Sequence, residues 1–272
     1  GTSTMTTSTP QTPARIFNFS AGPAILPEEV LLEARDNLLS LGNLGMGILE
    51  ISHRAKEFEA IMNEAEQNLR ELLGLVPEQK VLFLHGGATL QFSMVPMNLL
   101  APGGTADYVV TGEWSKKAVI EAQRVGQVHL AGSSEGEQFR RIPRSDELRF
   151  SPSPAYVHTT SNNTIWGTQW QVEPETAGAP LVCDMSSDFL SRPIDAKRYS
   201  LIYAGAQKNA GPAGVTVAIV REEALKLDKA AQAKLPVLLN YRTHIEHKSL
   251  YNTPPVFAIY VVHLVLRWLK KS

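Results

Sequence analysis

Leu201-Ile-Tyr-Ala-Gly-Ala-Gln207-Lys208-Asn-Ala-Gly-Pro212-Ala-Gly214, running straight into Val215–Val220, is the stretch that decides how this chain folds. Leu201–Tyr203 and Val215–Val220 are apolar runs of strand length, separated only by the Gly/Pro loop Gly205–Gly214. A parallel return needs a crossover of a dozen or more residues, usually a helix. The second run is therefore expected to lie antiparallel to its neighbour or to the sheet.

Upstream of that loop, short apolar runs alternate with helical periodicity. The expected strands are Val81–Leu84, Asp107–Thr111, Gln127–Leu130, Ala155–His158, Pro180–Asp184, Leu201–Tyr203 and Val215–Val220. Several are continuously apolar, as strands buried on both faces are. Helices are expected near Thr89–Leu99, Ser115–Arg124 and Arg221–Ala233. Two more precede them. One starts at Pro27, stops at Gly42 and faces inward with Val30, Leu31, Ala34, Leu38 and Leu39. The other spans Lys56–Leu73 and ends at Gly74, a usual helix stop. The alternation predicts an α/β fold with about seven mostly parallel strands, one antiparallel strand and helices on both faces.

The chain has 272 residues, 26 lysines and arginines against 27 acids, and a net charge of −1. That balance gives no polyanion-binding surface, so no nucleic-acid partner is expected. Cys183 is the single cysteine, which excludes an internal disulfide and a cysteine-based metal cage and fits a cytoplasmic setting. The longest apolar run, Val256–Leu266, contains His263. It is too short for a bilayer, so it reads as a buried helix, and no membrane partner and no metal are expected. Residues 1–15 are rich in Ser and Thr and read as a disordered extension or a tag.

Open parallel sheets bind ligands at the carboxyl ends of their strands, and three such ends carry chemistry. At His85-Gly86-Gly87-Ala88-Thr89, paired glycines before a helix start suit the close approach of a phosphate. At Leu181-Val-Cys-Asp184, a strand-end carboxylate suits a cationic ring nitrogen. Lys208, inside the Gly/Pro loop, is placed to lose its proton and bond an aldehyde as a Schiff base. Taken singly, each has a plainer reading: a Gly-Gly turn, a loop-capping aspartate, a surface lysine. The order of glycine loop, aspartate and, 24 residues on, lysine joins them. Trp114 and Thr164 follow two further strands, where an aromatic could stack on a pyridine ring and a hydroxyl could meet a ring oxygen.

These residues resemble phosphoserine aminotransferase, a class V pyridoxal-phosphate family of the aspartate-aminotransferase fold. The resemblance is carried by Asn18-Phe-Ser-Ala-Gly-Pro23, Ile51-Ser-His53-Arg54, Leu84–Phe92, Leu190-Ser-Arg-Pro-Ile-Asp195, Tyr203–Gly214 and Asn252-Thr-Pro-Pro255, and it covers about Ile16 to Leu269. It implies amino-group transfer between glutamate and 3-phosphohydroxypyruvate in serine biosynthesis, and in some members the 4-phosphohydroxythreonine precursor of pyridoxal phosphate. It also implies a homodimer with shared active sites. By similarity Lys208 bonds the cofactor, Asp184 holds its ring nitrogen, Trp114 stacks on the ring and Thr164 reaches the ring oxygen. Ala88, Thr89 and Gln207 would bind the phosphate with Asn252 and Thr253 of the other subunit, while His53 and Arg54 would meet the substrate.

Two departures are visible. Some family members carry arginine where this chain has Thr89. Members also continue for roughly another domain beyond the position of Ser272, supplying further substrate-binding arginines. The expected organisation is thus a cofactor-binding domain over 16–255 and, over 256–272, the helix leading to that domain, with apolar surface exposed on it. The alternatives are another class V lyase or desulfurase, disfavoured by His53-Arg54 and the lack of a loop cysteine, and a chain that binds cofactor without turnover. A nucleotide-binding α/β protein has little support in the glycine spacing.

Overall fold

The computed structural model describes residues 14–272. The expectation for residues 1–15 therefore lies almost wholly outside the described residues.

Seven strands form one sheet: β1 (Gln79–Leu84), β2 (Thr105–Val110), β3 (Gln127–Ser133), β4 (Val157–Thr160), β5 (Leu181–Asp184), β6 (Tyr199–Gly205) and β7 (Thr216–Arg221). Their order is β1-β7-β6-β5-β4-β2-β3. Only β7 runs against the rest, pairing antiparallel with both β1 and β6, as the short Gly205–Gly214 loop requires. The carboxyl ends of β1, β2, β4, β5 and β6 consequently share one edge of the sheet.

Side chains alternate between the two faces, and the two main apolar cores lie one on each. On one face Val81, Phe83, Leu181, Cys183, Ile202, Val217 and Ile219 pack under α1 (Glu28–Asp36), α2 (Lys56–Leu73) and the C-terminal helix. On the other, Leu82, Leu84, Tyr108, Val182, Leu201, Tyr203 and Ala218 pack under α3 (Gly87–Leu99) and α4 (Glu113–Val125). Cys183 thus points away from the face of Asp184, as the alternation predicts.

α2 buries Phe58, Ile61, Met62, Ala65, Leu69 and Leu73. Gly74 ends it at φ 61°, its N–H returning to the Arg70 carbonyl, a left-handed cap that glycine adopts without strain.

Three expectations are corrected. α1 stops at Asp36 rather than Gly42, and Leu39 is exposed, so only Val30 and Ala34 of the proposed stripe are buried. Asn37 ends the helix early because its side chain caps back to the Glu33 carbonyl and accepts from the Gly42 N–H. The helix expected over Arg221–Ala233 is a single 3-10 turn at Glu222–Ala224 followed by the short α5 (Lys229–Ala233). There Asp228 caps α5 by accepting from the Ala231 N–H. After α6 (Tyr241–Glu246), the last helix, α7 (Val256–Lys271), is covered rather than exposed: Ala258 through Leu266 are buried against α1 and α2. Arg267 of α7 pairs with Glu33 of α1 at 3.0 Å. No described helix is long and apolar enough to cross a membrane.

Candidate active site

At the shared carboxyl edge, a cavity of about 150 Å³ is lined by residues from five strand ends. The end of β1 contributes Gly87, Ala88, Thr89 and Phe92, and β2 contributes Trp114. β4 brings Thr160, Asn162 and Thr164; β5 brings Asp184, Ser186 and Ser187; β6 brings Gln207 and Lys208. Seven of the residues singled out in the sequence (Ala88, Thr89, Trp114, Thr164, Asp184, Gln207 and Lys208) therefore meet around one space.

The turn into α3 is built by two left-handed glycines, Gly86 at φ 89° and Gly87 at φ 65°. No side chain caps this helix and no acidic residue stands in its first turn. Its N–H groups and its positive dipole end are left for an anion.

Asp184 closes β5 with only 4% of its surface exposed. Its Oδ1 accepts from the Ser186 N–H at 2.9 Å and the Ser186 hydroxyl at 2.7 Å. Burial lifts the carboxyl to about 6, and these two bonds pull it down without cancelling the desolvation. Beside it on β4, in register, stands Thr160. Its Oγ1 is buried and has no hydrogen-bond partner. Under this floor His158 Nε2 meets the Tyr203 hydroxyl at 2.8 Å, and burial drives the imidazole down to about 3, so it is neutral.

Lys208 Nζ donates to the Ala21 carbonyl of the segment that precedes α1. Partial burial lowers its pKa, which raises the share of neutral, nucleophilic amine. Trp114 lines the cavity while Lys117 Nζ sits 4.4 Å from its ring centroid. Thr164 Oγ1 is hydrogen-bonded to Ser187 Oγ.

Four residues named from the sequence are not at this wall. Asn252 and Thr253 border a separate cavity with His85, Leu90, Met94 and His244, where His85 Nε2 lies 3.1 Å from the Thr253 carbonyl oxygen. His53 and Arg54 occupy the turn before α2, with His53 Nε2 buried and unpartnered and Arg54 exposed. Conversely, Phe92, Thr160, Asn162, Ser186 and Ser187 line the cavity and escaped the sequence reading. The serines follow Asp184 after Met185, but nothing in a Ser-Ser pair distinguishes a cavity wall from a turn.

A larger, more open cleft of about 740 Å³ lies at the opposite edge, between Pro174–Leu181 and Arg221–Lys226. Its arginines spend their donors on the walls: Arg198 bonds the Glu173 and Pro174 carbonyls, and Arg221 those of Lys197 and Tyr199. The smaller cavity is the one that brings together a buried carboxylate, a partly buried lysine and an orphaned hydroxyl.

A mostly parallel open sheet that gathers an aspartate and a lysine around one cavity at its carboxyl edge is the arrangement of an α/β enzyme site. The aminotransferase class-V family model matches residues 16–272, and the chain belongs to that family. Among its relatives, phosphoserine aminotransferase of Herpetosiphon aurantiacus is 53% identical over 257 residues, covering 94% of this chain and 71% of that protein. That of Nitrosomonas europaea is 52% identical over 265 residues, covering 95% and 72%. The solved phosphoserine aminotransferase from Bacillus circulans subsp. alkalophilus superposes with TM-score 0.91 at 48% identity, over 94% of this chain and 70% of that one. A PLP-bound phosphoserine aminotransferase from Trichomonas vaginalis does so with TM-score 0.87 at 37% identity, over 94% and 71%.

Proposed function

We propose that this chain is a pyridoxal-phosphate-dependent phosphoserine aminotransferase, moving an amino group between glutamate and 3-phosphohydroxypyruvate. The observation that carries the reading is the convergence of an uncapped helix start, a buried strand-end carboxylate and a desolvated lysine on one cavity. The cavity fits the cofactor: Thr160 leaves an orphaned hydroxyl on its wall, and the two bonds that Asp184 accepts both fall on Oδ1. When bound, pyridoxal phosphate supplies an electron sink for charge developing at the substrate's α-carbon.

Asp184 would hold the ring nitrogen in its cationic form, the charge pairing that offsets its own burial. Ala88 and Thr89 at the α3 start, with Gln207, would bind the phosphate through N–H groups and the helix dipole. Trp114 would fix the ring plane, and Thr164 would reach the ring oxygen. Lys208 would carry the cofactor covalently and, once released, hold and move the proton at the substrate's α-carbon. Arg54, with His53, would receive the substrate's phosphate or distal carboxylate, a dianion that a guanidinium binds in bidentate fashion.

The same reading makes the protein a cytoplasmic homodimer in which Asn252 and Thr253 serve the partner's cofactor phosphate. It assigns the chain to serine biosynthesis and, where 4-phosphohydroxythreonine is accepted, to pyridoxal phosphate biosynthesis. The organisation that goes with it is a cofactor domain over 16–255 followed by the α7 lead-in. Borohydride reduction of the loaded protein and peptide mapping should place a pyridoxyl adduct on Lys208. An adduct on Lys197 or Lys226 overturns the assignment. Glutamate should bleach the cofactor's visible absorption, and a spectrum that no amino acid changes would sink the transfer reaction.

A further inference from the structure

Asp184 and Lys208 come from different strands, and a reaction that uses both needs their separation fixed. One side chain links the two strand ends. The Ser186 hydroxyl donates to Asp184 Oδ1 at 2.7 Å and accepts from the Gly205 N–H at 3.1 Å. Gly205 is the last residue of β6, three before Lys208. The Ser186 N–H adds a second bond to the same Oδ1.

We infer that Ser186 is a positioning residue: it holds Asp184 through Oδ1, ties it to the strand end that carries Lys208, and leaves Oδ2 as the edge offered to the cofactor's ring nitrogen. This rests on the reading of the cavity as a pyridoxal phosphate site.

Three features of the site support the assignment. The hydroxyl's proton and a lone pair are both committed, so its rotor has one arrangement that serves both neighbours. On its other side Gly205 lies against the Gln207 side chain, where an added Cβ would stand 2.7 Å from the amide oxygen. Met185, between the two residues, is pinned by its own N–H to the Tyr203 carbonyl at 2.9 Å. The Asp184 carboxylate is thereby set against β6 from both its own strand and the next. Without the hydroxyl, Oδ1 keeps one bond, the Gly205 N–H loses its acceptor, and the carboxylate is free to turn and to hold its proton.

The test uses protein loaded with pyridoxal phosphate labelled with 15N in the ring. The nitrogen's chemical shift reports whether it is protonated, alongside the rate of the glutamate half-reaction. The parent and Ser186→Thr should show the protonated signal. Ser186→Ala should move toward the unprotonated value and lose roughly 10- to 100-fold in rate, the worth of one hydrogen bond to a charged group. Ser186→Cys, nearly isosteric with a weak donor, should move the same way and serves if the alanine variant does not fold. Parental signal and rate in the folded Ala or Cys variant would overturn the inference, and so would a Thr variant displaced as far as Ala. Asp184→Ala separates the two levels. If it moves the signal and the Ser186 variants do not, only the positioning role falls. If the parent takes up no cofactor, or Asp184→Ala leaves the signal unmoved, the cofactor reading fails and takes this inference with it.

Discussion

The Asp184 carboxyl is lifted to about 6 chiefly by burial, with Asp188 adding to the rise and Ser186 opposing it. In the cofactor-free protein the folded state therefore holds this proton more tightly than the unfolded chain, whose carboxyl titrates near 3.9. The sign follows from linkage. Stability falls as pH rises from about 4 to about 6 and is flat in this group above that. The span, about 2 units, corresponds to roughly 3 kcal/mol. Urea denaturation of the cofactor-free protein at pH 4.5 and pH 7 should show this slope, and Asp184→Asn should lack it. An identical slope in the variant would place the titration elsewhere. In the loaded enzyme, Asp184→Ala should keep the cofactor but slow the glutamate half-reaction by roughly a hundredfold, about 3 kcal/mol for an unpaired charge contact. Single-turnover absorbance measures it.

The turn between β1 and α3 depends on backbone that only glycine adopts easily. A Cβ on Gly86, at φ 89°, would stand 2.5 to 2.6 Å from the Leu90 side chain. Gly74 at the end of α2 has φ 61° and nothing within 4 Å of an added Cβ. The pair separates strain from crowding. Gly74→Ala should cost about 1 kcal/mol, the left-handed penalty alone. Gly86→Ala should cost roughly 1–3 kcal/mol more from overpacking, and should also shift the α3 start and weaken phosphate binding. Denaturant titration and cofactor titration by fluorescence check the two parts. Equal costs at both glycines would show that the α3 turn yields without strain.

Across the whole molecule, Asn252 and Thr253 sit beside His85 rather than at their own chain's cavity, which is what a site completed by a second subunit requires. Under the proposed sharing, mixing a Lys208→Ala chain with a Thr253→Ala chain should yield heterodimers with one undamaged site and one carrying both changes. Cofactor titration of the mixture should recover a fraction of sites with parental affinity and a parental absorption spectrum. Affinities that follow only each chain's own substitution would disprove the sharing.

Read as a sequence, the chain already determined the seven strands, the antiparallel β7 and, by strand-end position, Thr89, Trp114, Thr164, Asp184 and Lys208, whereas Ala88 and Gln207 came from the family resemblance. Apolar runs, a loop too short for a crossover and glycines beside charged residues are local features, and local spacing is enough to read them. What escaped was settled by tertiary contacts. Leu38 and Leu39 fit the α1 stripe by period, yet Asn37 stops the helix with two hydrogen bonds that no periodicity reports. α7 buries its apolar length against α1 and α2, neighbours that lie more than 180 residues upstream. Ser186 is an ordinary serine until β6 is laid beside β5, because its second partner, Gly205, is 19 residues away in sequence. Chain order can place a carboxylate and a lysine on one edge of a sheet. Only the packed sheet decides which hydroxyl bridges the two strand ends, since that depends on strand adjacency and on ångström-scale distances across it.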